Sequence, residues 1–148
     1  MVYDGIKAGL AKAVPMNTYL GLELIEVGDG HGVVRLPNNP QMLNHVGSQH
    51  AAGLFAAAEF ASGAAMTGAL VQHLANATPL AAAATIQYKK LAKGPILATA
   101  TLAEPAAAIV ERLTADGRAQ FDANIELTDE QSVVVATMTV QWHVRKRA

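Results

Sequence analysis

Residues 51–71 form an apolar stretch of 21 residues with a single charge, Glu59, near the middle. As a helix this stretch is long enough to cross a hydrocarbon core of about 30 Å. A carboxylate at the bilayer centre costs about 2.5–3.5 kcal/mol, however, and most of the other residues are Ala, Gly, Ser or Thr, which insert weakly. We therefore predict that the segment does not cross a membrane and is a helix buried inside protein on nearly all sides.

Composition indicates one packed domain over residues 1–148. The chain is 51% hydrophobic and 16% charged, which is the reverse of the pattern that causes disorder. It contains 30 alanines, so much of its apolar content has little side-chain volume. We expect the packing to rely on close backbone approach rather than on bulky side chains.

Charge and cysteine content exclude several function classes. The net charge is −1, and no basic stripe is present beyond Arg145, Lys146 and Arg147 near the end, so we expect no nucleic-acid partner. The absence of cysteine removes disulfides, thiol nucleophiles and thiolate metal sites. The first residues lack the basic start and apolar core of a signal peptide, so we expect a cytoplasmic protein.

Periodicity divides the chain into one helix, two strands, the long helix and four further strands. We predict a helix over residues 4–14 stopped by Pro15, strands over 19–27 and 33–36 around a turn at Gly28, and a loop to residue 49. After the long helix, which runs to about residue 74, strands are predicted over 83–90, 96–103, 121–127 and 133–144, with a short helix over 106–113. This order predicts an α+β fold in which an antiparallel sheet holds the long helix on one face. A small-residue face of that helix would let a curved sheet approach closely: Ala57, Ala61, Ala64, Ala65 and Gly68.

The segment from Asn44 to Gly63 carries the residues suited to chemistry. Polar loop residues end at His50, where the helix begins, and Glu59 lies nine residues later, about two and a half turns inside an apolar helix. A buried carboxylate is costly unless it is paired or functional. The start of a buried helix offers free N–H groups to an oxyanion. The segment thus contains an acid/base or nucleophile candidate and an oxyanion-hole candidate.

This segment resembles the active-site signature of hotdog-fold acyl-CoA thioesterases of the phenylacetate-pathway and 4-hydroxybenzoyl-CoA kind. That signature has Asn or Gln six residues before a His, small residues with Gly after it, and a carboxylate nine residues after it. Asn44, His50, the run 51–53 and Glu59 stand at those spacings. The order of helices and strands over residues 14–145 also matches, so the resemblance implies a hotdog fold, a curved antiparallel sheet around one central helix.

The resemblance also implies a role for each residue in the hydrolysis of acyl-CoA, without a metal or cofactor. Glu59 would be nucleophile or general base, and the Ala51 N–H would polarise the thioester carbonyl. Asn44 would orient substrate or water, and His50 would brace the loop. The residues expected to contact substrate are Gly53, Ser62, Gly63, Lys89 and Lys90, the two lysines by meeting coenzyme A phosphates.

Two positions depart from the family pattern. Ala51 replaces the usual first Gly after the His, which keeps the N–H but crowds the approach to it. Gly63 stands where the family often has Thr or Ser one turn after the carboxylate, and Ser62 is its neighbour.

Helix geometry predicts that the site is shared between two chains. Nine residues separate His50 from Glu59, which is about 14 Å along a helix. One thioester carbon cannot touch both ends of that span. If both groups act on one carbonyl, they must therefore come from different chains, as in a two-fold dimer with facing helices. The resemblance implies the same homodimer, with sheets joined edge to edge, or a dimer of dimers.

Other interpretations of these residues remain open. Glu59 could be a structural carboxylate, His50 a loop-bracing residue and Asn44 a turn residue. His45 stands fourteen residues before Glu59, the spacing of hotdog 3-hydroxyacyl dehydratases or hydratases, although the proline-rich loop of those enzymes is missing. A non-catalytic acyl-CoA-binding dimer is a third possibility, favoured by Ala51 and Gly63.

Two further expectations concern ligands. Lys89 and Lys90, with Lys93, could instead be a solvated strand end, and the basic tail at 145–147 is an alternative phosphate site. No metal site is expected, because His45, His50 and Glu59 do not share a helix face and no H-x-x-x-H pair exists.

Overall fold

The long apolar segment forms a 20-residue helix that packs on a six-stranded antiparallel sheet. The structure, a computed structural model, describes residues 2–147. The strands lie in the order β1-β2-β4-β5-β6-β3. The helices are α1 (Val2–Ala13), α2 (Pro15–Tyr19), α3 (Ala51–Leu70) and α4 (Ala106–Asp116), with short 3₁₀ turns at Pro40–Met42 and Val71–His73. The strands are β1 (Glu23–Gly28), β2 (His31–Leu36), β3 (Ala77–Tyr88), β4 (Ile96–Leu102), β5 (Arg118–Thr128) and β6 (Val134–Lys146). This confirms the predicted α+β arrangement of six strands around one long helix.

The two largest errors in the predicted boundaries, at the starts of β1 and β3, both involve proline. Pro15 ends α1 as predicted, but it also begins α2, because a proline suits the first position of a helix. Strand β1 therefore starts at Glu23 rather than at residue 19. Strand β3 starts at Ala77 rather than at residue 83, since Pro79 lies on an edge strand, where a missing N–H is tolerated.

The small residues of α3 allow the β1–β2 hairpin to lie directly on the helix backbone. A Cβ atom at Gly68 would lie 1.9 Å from the carbonyl oxygen of Gly28, and one at Gly32 would lie 2.6 Å from the carbonyl oxygen of Ala61. No side chain fits at either point. The predicted small-residue face of α3 is fully buried at four of its positions, Ala57, Ala61, Ala64 and Ala65. Close approach of the sheet is thus confirmed.

The segment Ala51–His73 has the length and mean hydropathy, 1.5, of a membrane span, and 61% of its most apolar window is buried in this chain. Helix α3 packs most extensively on β2 and β4. Burial against the sheet accounts for its apolar sequence, as expected for the core helix of the fold.

One stripe of α3 faces away from the sheet. Its members, spaced three or four residues apart, are exposed or half-buried: Ala52, Phe55, Ala56, Glu59 and Gly63. The stripe places Glu59 on the open side of the core helix, with Phe55 one turn before it and Gly63 one turn after it.

Candidate active site

The start of α3 has one backbone N–H without a partner, that of Ala51. The first N–H groups of any helix cannot bond within the helix and need other acceptors. The Ala52 N–H donates to the His50 ring at 2.9 Å, and the N–H groups of Gly53 and Leu54 donate to the His50 carbonyl at 3.0 and 3.1 Å. No acceptor within residues 2–147 takes the N–H of Ala51, which is exposed. A single donor at the positive end of a long helix is therefore left for a ligand.

His50 caps the helix that it precedes. Its Nδ1 accepts the hydrogen bond from Ala52, so the neutral ring carries its proton on Nε2, which faces solvent. Its own N–H donates to the Met42 carbonyl at 3.0 Å. These contacts fit the predicted bracing role, and they also direct the cap to Ala52, which leaves Ala51 free.

Asn44 organises the loop before the helix. Its Oδ1 accepts from the N–H groups of Val46 and Ser48, each at 3.0 Å, and its Nδ2 donates to Ser48 Oγ at 2.8 Å. The side chain thus closes a tight turn at its own position, which was one of the two interpretations left open. Its second Nδ2 hydrogen remains available, so a contact with substrate or water stays a prediction.

Gln49 anchors this loop, although sequence analysis did not identify it. Its buried Nε2 donates to the carbonyls of Pro37 at 3.1 Å and Gly94 at 2.9 Å, while its N–H donates to the Ala92 carbonyl at 2.8 Å. One residue thereby fixes the start of its own loop, at Pro37, to the loop between β3 and β4, which carries Ala92 and Gly94. The two carbonyl groups that accept from Gln49 Nε2 belong to residues 12 and 45 positions away, so no local sequence pattern indicates these contacts.

Glu59 has a carboxylate that makes no hydrogen bond or ion pair with residues 2–147. The side chain is half-buried, and this burial raises the pKa of the carboxyl group through desolvation. A structural carboxylate capped by donors would instead have a lowered pKa. An unpaired, partly desolvated carboxylate is suited to accept a proton or to attack an electrophile.

Two predicted substrate-contact residues face the protein interior instead. Ser62 is fully buried; its Oγ donates to the Glu59 carbonyl at 2.7 Å and accepts from Trp142 Nε1 at 3.0 Å. Gly53 is buried, and a Cβ there would lie 3.2 Å from Met42 Cε. Packing gives both residues structural contacts within the chain, and their contact with substrate stays a prediction.

The end of β3 lies beside the start of α3. Tyr88 donates its hydroxyl to the Ala51 carbonyl at 3.0 Å, a contact that the sequence did not indicate. Lys89 and Lys90 follow at once; both are exposed, and both N–H groups donate to the Val135 carbonyl. The structure thus places both lysines near the helix start, and their contact with phosphate stays a prediction.

The structure does not bring Ala51 and Glu59 together within one chain. Both lie on the uninterrupted helix α3, eight residues apart, which separates them by about 12 Å. Nor does any hydrogen bond within the described residues join His45 to Glu59; His45 lies exposed in the turn after Asn44.

No metal site is present among residues 2–147, where no three His, Asp or Glu side chains are grouped to hold an ion. The predicted absence of a metal concerned the sequence pattern at 45–59, and the unpaired groups there are a carboxylate and an N–H donor. That the protein works without a metal ion stays a prediction.

Comparison with known proteins identifies a sequence family. The model of a family described as a domain of unknown function, DUF4442, matches residues 5–144 of this chain. No curated protein matches.

Solved structures give a consistent fold. The chain is similar to PA5026 of Pseudomonas aeruginosa, described as a protein of unknown function and probable thioesterase, with 26% identity, a TM-score of 0.84, and coverage of 97% of this chain and 95% of that one. It is also similar to the Escherichia coli PaaI protein from the phenylacetic acid degradation operon, with 21% identity, a TM-score of 0.74 and coverage of 97% and 93%. A third similar structure is the thioesterase SAV0944 of Staphylococcus aureus, with 16% identity, a TM-score of 0.71 and coverage of 89% and 99%. These likenesses confirm the predicted hotdog fold.

Proposed function

This chain belongs to the DUF4442 domain family, and we propose that it is a thioesterase that hydrolyses the thioester of an acyl-coenzyme A. The proposal is supported by the hotdog fold that it shares with one protein described as a probable thioesterase and another described as a thioesterase. The observation that carries it is one helix with two unpartnered groups, the N–H of Ala51 and the carboxylate of Glu59.

Hydrolysis needs these two kinds of group. Glu59 either removes a proton from water, whose oxygen then attacks the thioester carbonyl carbon, or attacks that carbon itself to form an anhydride that water opens. In both routes the carbonyl oxygen becomes an oxyanion, and the Ala51 N–H stabilises it. The C–S bond then breaks and coenzyme A leaves as the thiolate. In the first route the thiolate takes up the proton that Glu59 removed from water; in the second it takes up a proton from the water that later opens the anhydride, and in both the acid is released.

Because about 12 Å of rigid helix separates the two groups, we propose that they act on one carbonyl only across a homodimer. The two edges of the sheet differ in a way that supports this assembly. Edge strand β1 has six residues; its Glu23 forms an ion pair with Arg35, and its Glu26 is hydrogen-bonded to His31. Edge strand β3 has 12 residues, carries no charge and is exposed at nine positions. A long uncharged edge of this kind pairs readily with another strand.

Pairing of β3 with β3 of a second copy would join the two sheets and bring the open stripes of the two α3 helices face to face. Each of two equivalent sites would then hold Ala51 and His50 from one chain and Glu59 from the other. Lys89 and Lys90, just beyond the end of β3, are the residues that we propose to meet the coenzyme A phosphates. A dimer of dimers is compatible with the same pairing.

The test is thiol release from a panel of acyl-CoA substrates by the wild-type protein and by Glu59→Gln, with Glu111→Gln as the matched control because Glu111 is exposed on α4. We expect hydrolysis by the wild-type and control proteins and loss of most hydrolysis in Glu59→Gln, with acyl-CoA binding retained. Binding without turnover in the wild-type protein would instead indicate a binding module. Hydration of enoyl-CoA that is abolished by His45→Ala would indicate the hydratase alternative.

A further inference from the structure

Helix α3 contains three glycines, and Gly63 is the one at which a Cβ atom would meet nothing closer than ordinary van der Waals distance. Gly68 meets the backbone of Gly28, and Gly53 meets Met42, as described above. A Cβ at Gly63 would lie 3.6 Å from Cζ2 and 3.8 Å from Cη2 of Trp142, which is ordinary van der Waals contact. Glycine inside a helix is unfavourable relative to alanine. The fold of one chain therefore tolerates a side chain at position 63, and the reason for its absence lies outside the chain.

Position 63 lies beside the carboxylate of the proposed site. Gly63 is half-buried on the open stripe of α3, one turn after Glu59. Helical side chains lean toward the helix N-terminus, so a residue covers the turn that precedes it. A side chain at 63 would consequently cover Glu59. Its absence leaves a space at least the size of a methyl group against the Trp142 ring, on the turn after Glu59, and we call this space the slot.

The wall of this slot is apolar. The ring carbons of Trp142 face position 63, while its Nε1–H is already bound to Ser62 Oγ inside the protein. No free donor from the indole is therefore offered to a ligand. On this side a group that enters the slot meets ring carbons and no indole donor, which favours hydrocarbon bulk over polar substituents.

We propose that Gly63 is the specificity-determining position of the acyl pocket and that the slot admits acyl groups that are wide next to the thioester carbonyl. The inference rests on the proposed function, since the reacting carbonyl must lie against Glu59. One helical turn rises about 5.4 Å, which is the reach of the first few acyl carbons. A side chain at 63 would therefore meet groups branched or cyclic at those carbons and would spare narrow ones.

The experiment compares kcat/KM for butyryl-CoA, which is narrow at the carbonyl, with pivaloyl-CoA and benzoyl-CoA, which are wide there. The proteins are wild type, Gly63→Ala, Gly63→Val and the control Gly9→Ala, a glycine of helix α1 whose Cβ would meet nothing within 4 Å. Affinity for the corresponding non-hydrolysable thioether analogues is measured in parallel, together with the oligomeric state of each variant.

We expect Gly63→Val to lower kcat/KM for the two wide substrates by about 10–200-fold, the usual effect of a methylene-sized misfit, and to leave butyryl-CoA nearly unchanged. Gly63→Ala should fall between wild type and Gly63→Val, and Gly9→Ala should match wild type. An equal loss for all substrates, no loss, or conversion of Gly63→Val to monomer would overturn the inference. A wild-type protein that hydrolyses no substrate would refute the proposed function alone. In that case, weaker binding of only the wide thioethers by Gly63→Val would still support the slot. If Gly63→Val instead bound wide and narrow thioethers as wild type does, the inference would be refuted as well.

Discussion

Trp142 and Ser62 are joined by a buried hydrogen bond of 3.0 Å that links strand β6 to the middle of helix α3. The Ser62 hydroxyl also donates to the Glu59 carbonyl, so both of its roles are filled inside the chain. The bond holds the Trp142 ring against Gly63, which lies one helical turn after Glu59.

Ser62→Ala is expected to lower the free energy of unfolding by about 1–3 kcal/mol, because the indole N–H is left buried without an acceptor. Turnover per folded molecule should not change. Urea unfolding and thiol release on the same samples measure both quantities, and Ser62→Ala combined with Trp142→Phe should recover part of the loss. A drop in turnover that exceeds the loss of folded protein would return a substrate role to Ser62.

Gly68→Ala tests the close approach of the hairpin to the helix. The added methyl group would lie 1.9 Å from the carbonyl oxygen of Gly28, so hairpin and helix must separate. We expect a loss of stability of about 3 kcal/mol, at the upper end of overpacking effects. Gly9→Ala is the control, because a Cβ at this position of α1 would meet nothing within 4 Å, and it should raise the free energy of unfolding by about 0.5–1 kcal/mol. Equal melting temperatures for the two variants would show that the hairpin does not contact α3 in this way.

Ala51→Pro removes the proposed oxyanion donor with little change to the fold. Proline is favourable at the first position of a helix, and it requires an extended residue before it. His50 already has φ −67° and ψ 142°, which meets that requirement. We expect kcat to fall by about 10²–10³-fold with the melting temperature nearly unchanged. A folded Ala51→Pro protein with wild-type kcat would place the oxyanion elsewhere.

The raised pKa of Glu59 predicts how stability depends on pH. Burial favours the protonated form of the Glu59 carboxyl group. The group therefore does not destabilise the folded state below its unfolded pKa, and it lowers the free energy of unfolding as pH rises from there through the folded pKa. Glu59→Gln should therefore have the higher melting temperature at about pH 8, and the difference should shrink toward about pH 4. A wild-type protein that is the more stable of the two at high pH would indicate that the assembled protein pairs this carboxylate.

Much of the fold could be predicted because it is encoded locally. Residues 51–70 lack charge except for Glu59, and the alternation in β6 separates its two faces, so the core helix and the longest strand follow from pattern alone. The alanine run of β3 does not alternate, and Pro79 argues against a strand. The first half of β3 is a strand because it pairs with β6, from Ala77 with Lys146 onward, which is a tertiary effect.

The candidate site was predictable only in part for the same reason. The spacing of Asn44, His50 and Glu59 is a sequence property. The contacts of Gln49 with Gly94 and of Tyr88 with Ala51 join residues 45 and 37 positions apart and depend on the folded sheet. The inward position of Ser62 follows from Trp142, 80 residues away. Residue type shows that these side chains can form hydrogen bonds, but only the fold shows which partners they have.

The shared site between two chains is tested most directly by mixing two inactive variants. Ala51→Pro and Glu59→Gln are unfolded together, refolded together, and assayed for thiol release against each variant refolded alone. In a mixed dimer one site would combine the intact Ala51 of one chain with the intact Glu59 of the other. We expect recovery of about a quarter of wild-type activity, from half of the dimers with one working site each. Activity in the mixture no greater than that of the separate variants would contradict a site built from two chains.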